Sequence, residues 1–358
     1  MPSSIRGYVL TDRRPGEPEQ TRTGEAEYTR TQDEAVAWNS MVGPKTAPAA
    51  VEMPDSGDSE RLKEIMDREG LEVTHLTQWQ LIRRKFFQHK LAVVSLMVLV
   101  IIVLAAVFAD VLAPYAFDEI DLPNRSQAPT LEASHFFGTD KLGRDYFSRI
   151  LYGLRTSLWV ALIASVVSTI IGTVVGGIAG YRGGRIDNFL MRVVDLFLVL
   201  PFLAILLILS AFVGQGSPTR VGFILAILFW TGLARIVRGV FLSLREKEFV
   251  EAARAAGASD SRIIFRHILP NAMGPIIVAM TLVVASAILV EAALSFLGFG
   301  IQPPNPALGK LIADGQDSLV TAWWLVTIPG IFIVVISLAV NFVGDGMRDA
   351  LDPTQVVK

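Results

Sequence analysis

The chain has 358 residues, of which 52% are hydrophobic and 18% charged, with a formal net charge of −2 and a mean hydropathy of +0.48. A soluble domain usually carries about 25% charged residues, so this composition excludes an ordinary soluble enzyme and favours a membrane protein. The absence of cysteine excludes disulfides, thiolate metal sites and a cysteine nucleophile, and four scattered histidines do not suggest a metal centre.

The first 75 residues differ in composition from the rest of the chain. They are rich in Pro, Ser, Thr, Gly and Glu, lack regular periodicity, and hold nine basic and fifteen acidic residues, a net charge of −6. Such a segment cannot bury enough apolar surface to offset the entropy lost on ordering. We therefore predict a disordered cytoplasmic tail over residues 1–75 and a membrane domain over residues 76–353.

Six apolar segments follow the tail, and each predicts a helix that crosses the bilayer. A crossing helix needs about 20 apolar residues, because its backbone must be satisfied within the helix. Five uncharged stretches of 19 to 27 residues meet this requirement, whereas Val221–Ala234 has 14 residues before Arg235 interrupts it. The apolar pattern continues beyond Arg235, whose head group can reach the interface. The predicted spans are about 91–112, 156–181, 192–214, 221–243, 271–292 and 322–344.

Proline and glycine predict two local features of these spans. Pro201 in the third span and Pro329 in the sixth are expected to kink their helices. Gly172, Gly176 and Gly180 recur every four residues in the second span. They share one helix face, which another helix can approach closely.

The segment before the second span predicts an outer loop dense in glycine and charge. It reads His-Phe-Phe-Gly-Thr-Asp-Lys-Leu-Gly-Arg-Asp over residues 135–145. Glycine permits tight turns, and charges of alternating sign either pair with one another or contact a partner. The candidate residues of this loop are Gly138, Asp140, Gly143, Arg144, Asp145 and Arg149.

The loop between the fourth and fifth spans, residues 246–270, predicts two short helices joined by a sharp turn. Residues up to Ala256 favour a helix, which Gly257 can end in a left-handed conformation. Ser259 or Asp260 can cap the second helix, and Pro270 marks the start of the fifth span. The many alanines leave a surface on which another protein can pack closely, although a simple solvated connector would share this local structure.

The distribution of positive charge predicts the orientation. Lys and Arg accumulate in short cytoplasmic loops. With the N-terminus inside, the cytoplasmic segments after residue 75 hold 16 Lys and Arg and the outer segments hold seven. We therefore predict that both termini are cytoplasmic.

The chain carries no recognisable catalytic or nucleotide-binding motif. The patterns G-x-x-x-x-G-K-[ST], H-E-x-x-H and G-x-S-x-G do not occur. Asp195, Arg235 and Glu291 lie at the edges of spans, and Glu291 is the deepest of them. These features predict a transport pathway without catalytic residues, metal or cofactor of its own, driven by another protein or passive.

Three segments carry a resemblance to a known family. Glu251-Ala252-Ala253, Gly257 and Leu269-Pro270 have the spacing E-A-A-x₃-G-x₁₁-L-P, which resembles the EAA loop of ABC importer permeases. Residues 135–158, 291–304 and 344–353 are similar to the dipeptide/oligopeptide/nickel branch of that family, specifically its second permease subunit. The resemblance covers roughly residues 80–353. Two outer segments depart from the family pattern, since residues 304–309 lack its Trp and Ala322 replaces its Pro.

The resemblance implies a fold, a set of partners and a role for the loop of residues 246–270, which we call the coupling loop. The fold is an all-α membrane protein with the six helices of a type I ABC importer permease, in a bacterial plasma membrane. The partners are a homologous permease, two ATP-binding domains that bind ATP and Mg²⁺, an extracytoplasmic binding protein and a peptide substrate, without nucleic acid. The coupling residues that it implies are Glu251, Ala252, Ala253, Arg254, Gly257, Leu269 and Pro270.

Three alternatives remain open from sequence. A permease of the same family can import nickel, glutathione or another small solute. A self-sufficient secondary transporter is disfavoured by the lack of charge within the spans. A membrane-embedded enzyme is disfavoured by the missing catalytic constellation.

Overall fold

The computed structural model describes residues 78–130, 135–214 and 216–351, without the side chains of Gln78, Trp79 and Leu81. Within these ranges the regular structure is helical, apart from one isolated bridge between Thr139 and Asp145. The predicted tail, residues 1–75, lies outside the described residues. The predicted all-α architecture is confirmed.

The helices are numbered in chain order. They are α1 (Gln78–Gln88), α2 (Lys90–Val107), α3 (Ala109–Leu112), α4 (Tyr146–Arg182), α5 (Gly184–Val199), α6 (Phe202–Val213), α7 (Pro218–Arg245), α8 (Glu248–Ala255), α9 (Asp260–Ile263), α10 (Leu269–Phe296), α11 (Leu308–Gly315) and α12 (Trp324–Leu351). A π turn, Ile264–Ile268, joins α9 to α10.

Five helices in the described part of the chain are long and apolar enough to cross a membrane, and a sixth crossing requires the bent pair α5–α6. The five are α2, α4, α7, the continuous helix Asp260–Phe296 and α12. Large apolar side chains are exposed along them, as a lipid environment demands. The predicted six spans therefore hold only when α5–α6 counts as one.

The predicted third span, residues 192–214, is not one straight helix. The chain instead forms α5 and α6, which meet at an angle of 88°. Pro201 lies at the break, where Leu200 and Pro201 are extended, because proline lacks an N–H and disfavours a helical residue before it. The predicted kink at Pro201 is confirmed, whereas α12 continues as one helix through Pro329 and its kink stays a prediction.

The glycine stripe on α4 packs directly against α7, as predicted. A Cβ added at Gly176 would lie 2.3 Å from the backbone oxygen of Ala234, and one at Gly180 would lie 2.6 Å from that of Arg238. A Cβ added at Gly172 would likewise lie 2.7 Å from Cδ2 of the Leu233 side chain. The two helices therefore approach to a distance that only glycine allows.

We expect Gly176→Ala to destabilise the α4–α7 pair. The new Cβ meets backbone, which cannot swing aside, so the helices must separate, and overpacking of this kind costs about 1–3 kcal/mol. Gly239→Ala on α7 is the matched control, because nothing lies within 4 Å of its Cβ position. Thermal unfolding in detergent should show a lower midpoint for Gly176→Ala than for the control, and equal midpoints would contradict the close packing.

Loops gather at two ends of the helix bundle. The segment 135–149 contacts the segment 297–323 through side chains such as Arg149 and Asp314. The coupling loop lies at the opposite end, beside the last residues of α4. We call these the outer end and the cytoplasmic end, after the predicted orientation.

Candidate functional site

The turn of the coupling loop has the predicted geometry. Helix α8 ends at Ala255, and Gly257 adopts φ +80°. The amide of Ala258 donates to the Ala253 carbonyl at 3.0 Å, which closes the helix end. The Ser259 side chain accepts from the Arg262 amide and begins α9. The predicted turn and cap are confirmed.

The second half of the loop differs from the prediction. We expected a separate short helix that ends before Pro270, but α9 continues through the π turn into α10 as one helix of 37 residues, Asp260–Phe296. Pro270 cannot donate a backbone hydrogen bond, and the wider turn before it accommodates that loss. The Leu269 amide donates to Ile264, five residues earlier, and the Asn271 side chain donates to the His267 carbonyl at 2.6 Å.

The motif residues divide between an exposed and an inward side. Ala253 and Leu269 are half-buried and pack against a core that includes Val250, Ile263 and Ile268. The remaining motif residues are exposed: Glu251, Ala252, Arg254, Gly257 and Pro270. The inward side fixes the loop to its own protein, and the exposed residue Arg254 also hydrogen-bonds Tyr181 of α4.

One hydrogen bond ties the loop to α4, and another ties the last residue of α7 to α4. The Tyr181 hydroxyl donates to the Asp260 carboxylate at 2.7 Å, and Arg245 donates to the Tyr181 carbonyl at 3.1 Å. Sequence reasoning missed both, because the partners are 79 and 64 residues apart along the chain. It also missed Phe249 and Phe265, whose rings are exposed beside the motif. Aromatic residues in a charged loop were the available signal.

Two ion pairs join α5 to α7 near the cytoplasmic end. Arg238 donates to Asp187 at 2.7 Å, and Arg235 pairs with Asp195. The predicted position of Arg235 at a span edge agrees with this pairing.

The glycines of the outer segment make its tight turns. Gly138 and Gly143 adopt φ +73° and +79°. A Cβ at Gly143 would lie 1.7 Å from the backbone oxygen of Asp121, so a larger residue would displace the neighbouring loop. Asp145 caps α4 by accepting from the Ser148 amide at 2.7 Å, and it contacts His135 at 2.9 Å.

Asp140 organises the charged residues of this segment. Its carboxylate accepts from the amides of Leu142 and Arg144, from Arg144 Nε at 2.7 Å and from Arg149 Nη1 at 3.0 Å. The side chain of Arg149 is only 5% exposed. The candidate charges of the outer loop therefore pair with one another, which is the first of the two alternatives that the sequence left open.

These charges line a cleft of about 590 Å³ at the outer end. Its other wall belongs to the segment 297–323, where Asp314 lies 3.8 Å from Arg149 and 3.0 Å from Lys310. Lys141 reaches Asp317 at 4.0 Å. Sequence analysis missed this wall, because the residues stand more than 150 positions away from the outer loop.

Comparison with known proteins identifies the chain's relatives. Residues 172–356 match the family described as "Binding-protein-dependent transport system inner membrane component", and residues 77–129 match the N-terminal TM domain of oligopeptide transport permease C. The chain belongs to this family of transport permeases. The predicted resemblance is thereby confirmed.

Curated relatives match most of the permease. The oligopeptide transport system permease protein OppC of Escherichia coli is 44% identical over 296 residues, which cover 83% of this chain and 97% of the relative. The dipeptide transport system permease protein DppC of Bacillus subtilis is 40% identical over 271 residues, covering 75% and 84%. Among solved structures, the inward-facing MetNI methionine ABC transporter is 19% identical, with a TM-score of 0.47, and covers 57% of this chain and 96% of that chain.

Proposed function

We propose that this permease forms half of the translocation pathway of an ATP-driven importer of di- or oligopeptides. Its partners are a homologous permease, two ATP-binding domains and an extracytoplasmic binding protein in a bacterial plasma membrane. ATP and Mg²⁺ belong to the ATP-binding partners, and this chain contributes no catalytic group. The observation that carries the proposal is the geometry of the coupling loop. Most of its motif residues are exposed on one side, and its other side packs against the membrane helices.

The coupling loop is suited to pass movement from an ATPase to the pathway. A partner that packs on Glu251, Ala252 and Arg254 moves α8, which is anchored inward through Val250. The turn at Gly257 connects α8 to the continuous helix Asp260–Phe296. A helix without a break moves as a unit, so displacement of the loop reaches the outer end of α10.

The outer cleft is the surface that we assign to the binding protein. It lies at the end opposite the coupling loop and combines basic and acidic side chains from two segments. A surface of both signs favours a partner with complementary charge and fixes its orientation. The names of the relatives support peptides as the cargo, whereas nickel, glutathione or another small solute is the alternative within the same family.

The cargo is tested in vesicles that contain the full importer and its binding protein. We expect ATP-dependent uptake of a labelled tripeptide that unlabelled peptides abolish and that nickel or glutathione leaves unchanged. The purified permease alone should hydrolyse no ATP. Uptake of nickel without uptake of peptide would contradict the peptide assignment, and ATP hydrolysis by the permease alone would contradict its non-catalytic role.

The orientation is tested by cysteine labelling, which needs no background substitutions because the chain has no cysteine. Ser126 and Ser259 are both exposed and lie at opposite ends of the bundle. In intact cells, Ser126→Cys should react with a membrane-impermeant thiol reagent and Ser259→Cys should react only after permeabilisation. The reverse pattern would place the termini outside.

A further inference from the structure

Glu291 is a fully buried carboxyl near the outer end of α10. Its Oε2 accepts from the Ser157 hydroxyl at 2.8 Å, and its Oε1 accepts from the Ser295 hydroxyl at 2.7 Å. Within the described ranges, the partners of this side chain are hydroxyls and no cation lies within ion-pair distance. A buried acid satisfied in this way depends on both hydrogen bonds.

Each serine also accepts a backbone hydrogen bond from the segment 300–309. The Ile301 amide donates to Ser295 Oγ at 3.2 Å, and the Leu308 amide donates to Ser157 Oγ at 3.4 Å. Because each oxygen accepts from an amide, its own proton is available for the carboxylate. Two hydrogen-bonded chains therefore start at Ile301 and Leu308 and meet at Glu291.

The segment 300–309 has little freedom to move while these hydrogen-bonded chains are intact. Ile301 and Leu308 are fully buried. A Cβ at Gly300 would lie 2.2 Å from Ser295 Oγ, and one at Gly309 would lie 2.3 Å from the Ala292 carbonyl oxygen. The segment thus lies directly on α10, and the residues between and beyond these anchors line the outer cleft.

We infer that Glu291 is a positioning residue, whose carboxylate fixes the segment 300–309 against α4 and α10 and so sets the shape of the outer cleft. Glu291 itself is inaccessible and touches neither solute nor partner. The functional half of this inference rests on the proposed contact between the outer cleft and the binding protein. The structural half, the position of the segment, is independent of that contact.

Two substitutions break the network in different places. Glu291→Gln keeps the size of the side chain but replaces one acceptor oxygen by an NH₂ group, so one of the two serine hydroxyls loses the acceptor of its proton. Ser157→Ala removes the link to Leu308 and leaves the link to Ile301. Ser337→Ala is the matched control, because this serine is also buried in a membrane helix but its hydroxyl has no hydrogen-bond partner among the described residues.

The position of the segment is measured in the complete importer by electron spin resonance. Spin labels are attached at Leu122→Cys and Asn305→Cys, two exposed sites in a chain without cysteine. We expect a shifted or broadened distance distribution in Glu291→Gln and in Ser157→Ala, and the unsubstituted distribution in Ser337→Ala. If the importer does not assemble with the Glu291→Gln variant, the measurement on Ser157→Ala alone tests the inference. Unchanged distributions would overturn the inference.

The proposed link to the binding protein is tested in the importer without spin labels. ATPase activity is measured as a function of the concentration of peptide-loaded binding protein. The half-maximal concentration should rise roughly fivefold in both variants, as expected for loss of one buried hydrogen bond, while ATPase activity without binding protein is unchanged. A shifted segment with unchanged stimulation would overturn the link to the binding protein but keep the positioning role. Loss of activity without binding protein as well would overturn the assigned role in favour of a general structural one.

Discussion

Gly257→Val is expected to abolish transport while the protein still inserts and accumulates at a normal level. Gly257 adopts φ +80°, a conformation that costs a residue with a Cβ about 1–2 kcal/mol and is especially unfavourable for a β-branched one. The site is exposed and its Cβ position is open, so strain rather than collision is responsible. The turn should relax and carry α8 away from its docking orientation. Transport and substrate-stimulated ATPase activity of the reconstituted importer should be lost together.

Gly257→Asn distinguishes the effect of backbone strain from other effects of adding a side chain at this position. Asparagine adopts the left-handed conformation more readily than valine does, so it should retain most of the activity. Glu251→Lys, which reverses an exposed charge on α8, should also uncouple, whereas Ser261→Ala at another exposed position of the loop should be mild. Full activity of both Gly257→Val and Glu251→Lys would show that the loop is a simple connector.

Asp140→Ala is expected to destabilise the outer end by about 3–5 kcal/mol, the usual result of removing one partner of a buried ion pair. The substitution leaves the buried Arg149 guanidinium with Asp314 at 3.8 Å as its remaining ion-pair partner, and it removes the acceptor of the Leu142 and Arg144 amides. Thermal unfolding of the detergent-purified permease should show a large decrease in the midpoint, and peptide uptake should fall with it.

The matched control for this effect is Asp317→Ala. Asp317 is 82% exposed and lies 4.0 Å from Lys141, and exposed pairs of this kind contribute little. Replacing Arg149 by leucine in the Asp140→Ala background should recover part of the loss, because the unpaired buried charge is then gone. Equal midpoints for Asp140→Ala and Asp317→Ala would show that the Asp140 pairs are no stronger than surface contacts.

Features that depend on neighbouring residues were predictable from the sequence. The apolar lengths predict the crossing helices, the four-residue glycine spacing predicts the contact face of α4, and Gly257 with Ser259 predicts the turn of the coupling loop. Each rests on local chemistry: apolar burial, the missing Cβ, or a side chain that caps a helix. The family resemblance added the proposal that this loop contacts an ATP-binding partner.

Features that depend on distant residues were not predictable. Pro201 predicts a kink, but it does not predict the angle of 88° at which α5 and α6 meet. The contact between Arg149 and Asp314 joins segments far apart in sequence, so no local pattern contains it. The burial of Glu291 was likewise hidden, because its position at a span edge does not reveal the serine on another helix that satisfies it.

The π turn at Ile264–Ile268 also sets how the coupling loop is rotated about the helix axis relative to the fifth membrane helix. A π turn holds one residue more than an α-helical turn, and each residue of an α-helix advances by about 100°. The extra residue therefore rotates everything before it, including α9, relative to the faces of α10. Insertion or loss of one residue here would rotate the exposed motif residues of the loop to a different side of α10 without replacing any residue of the motif.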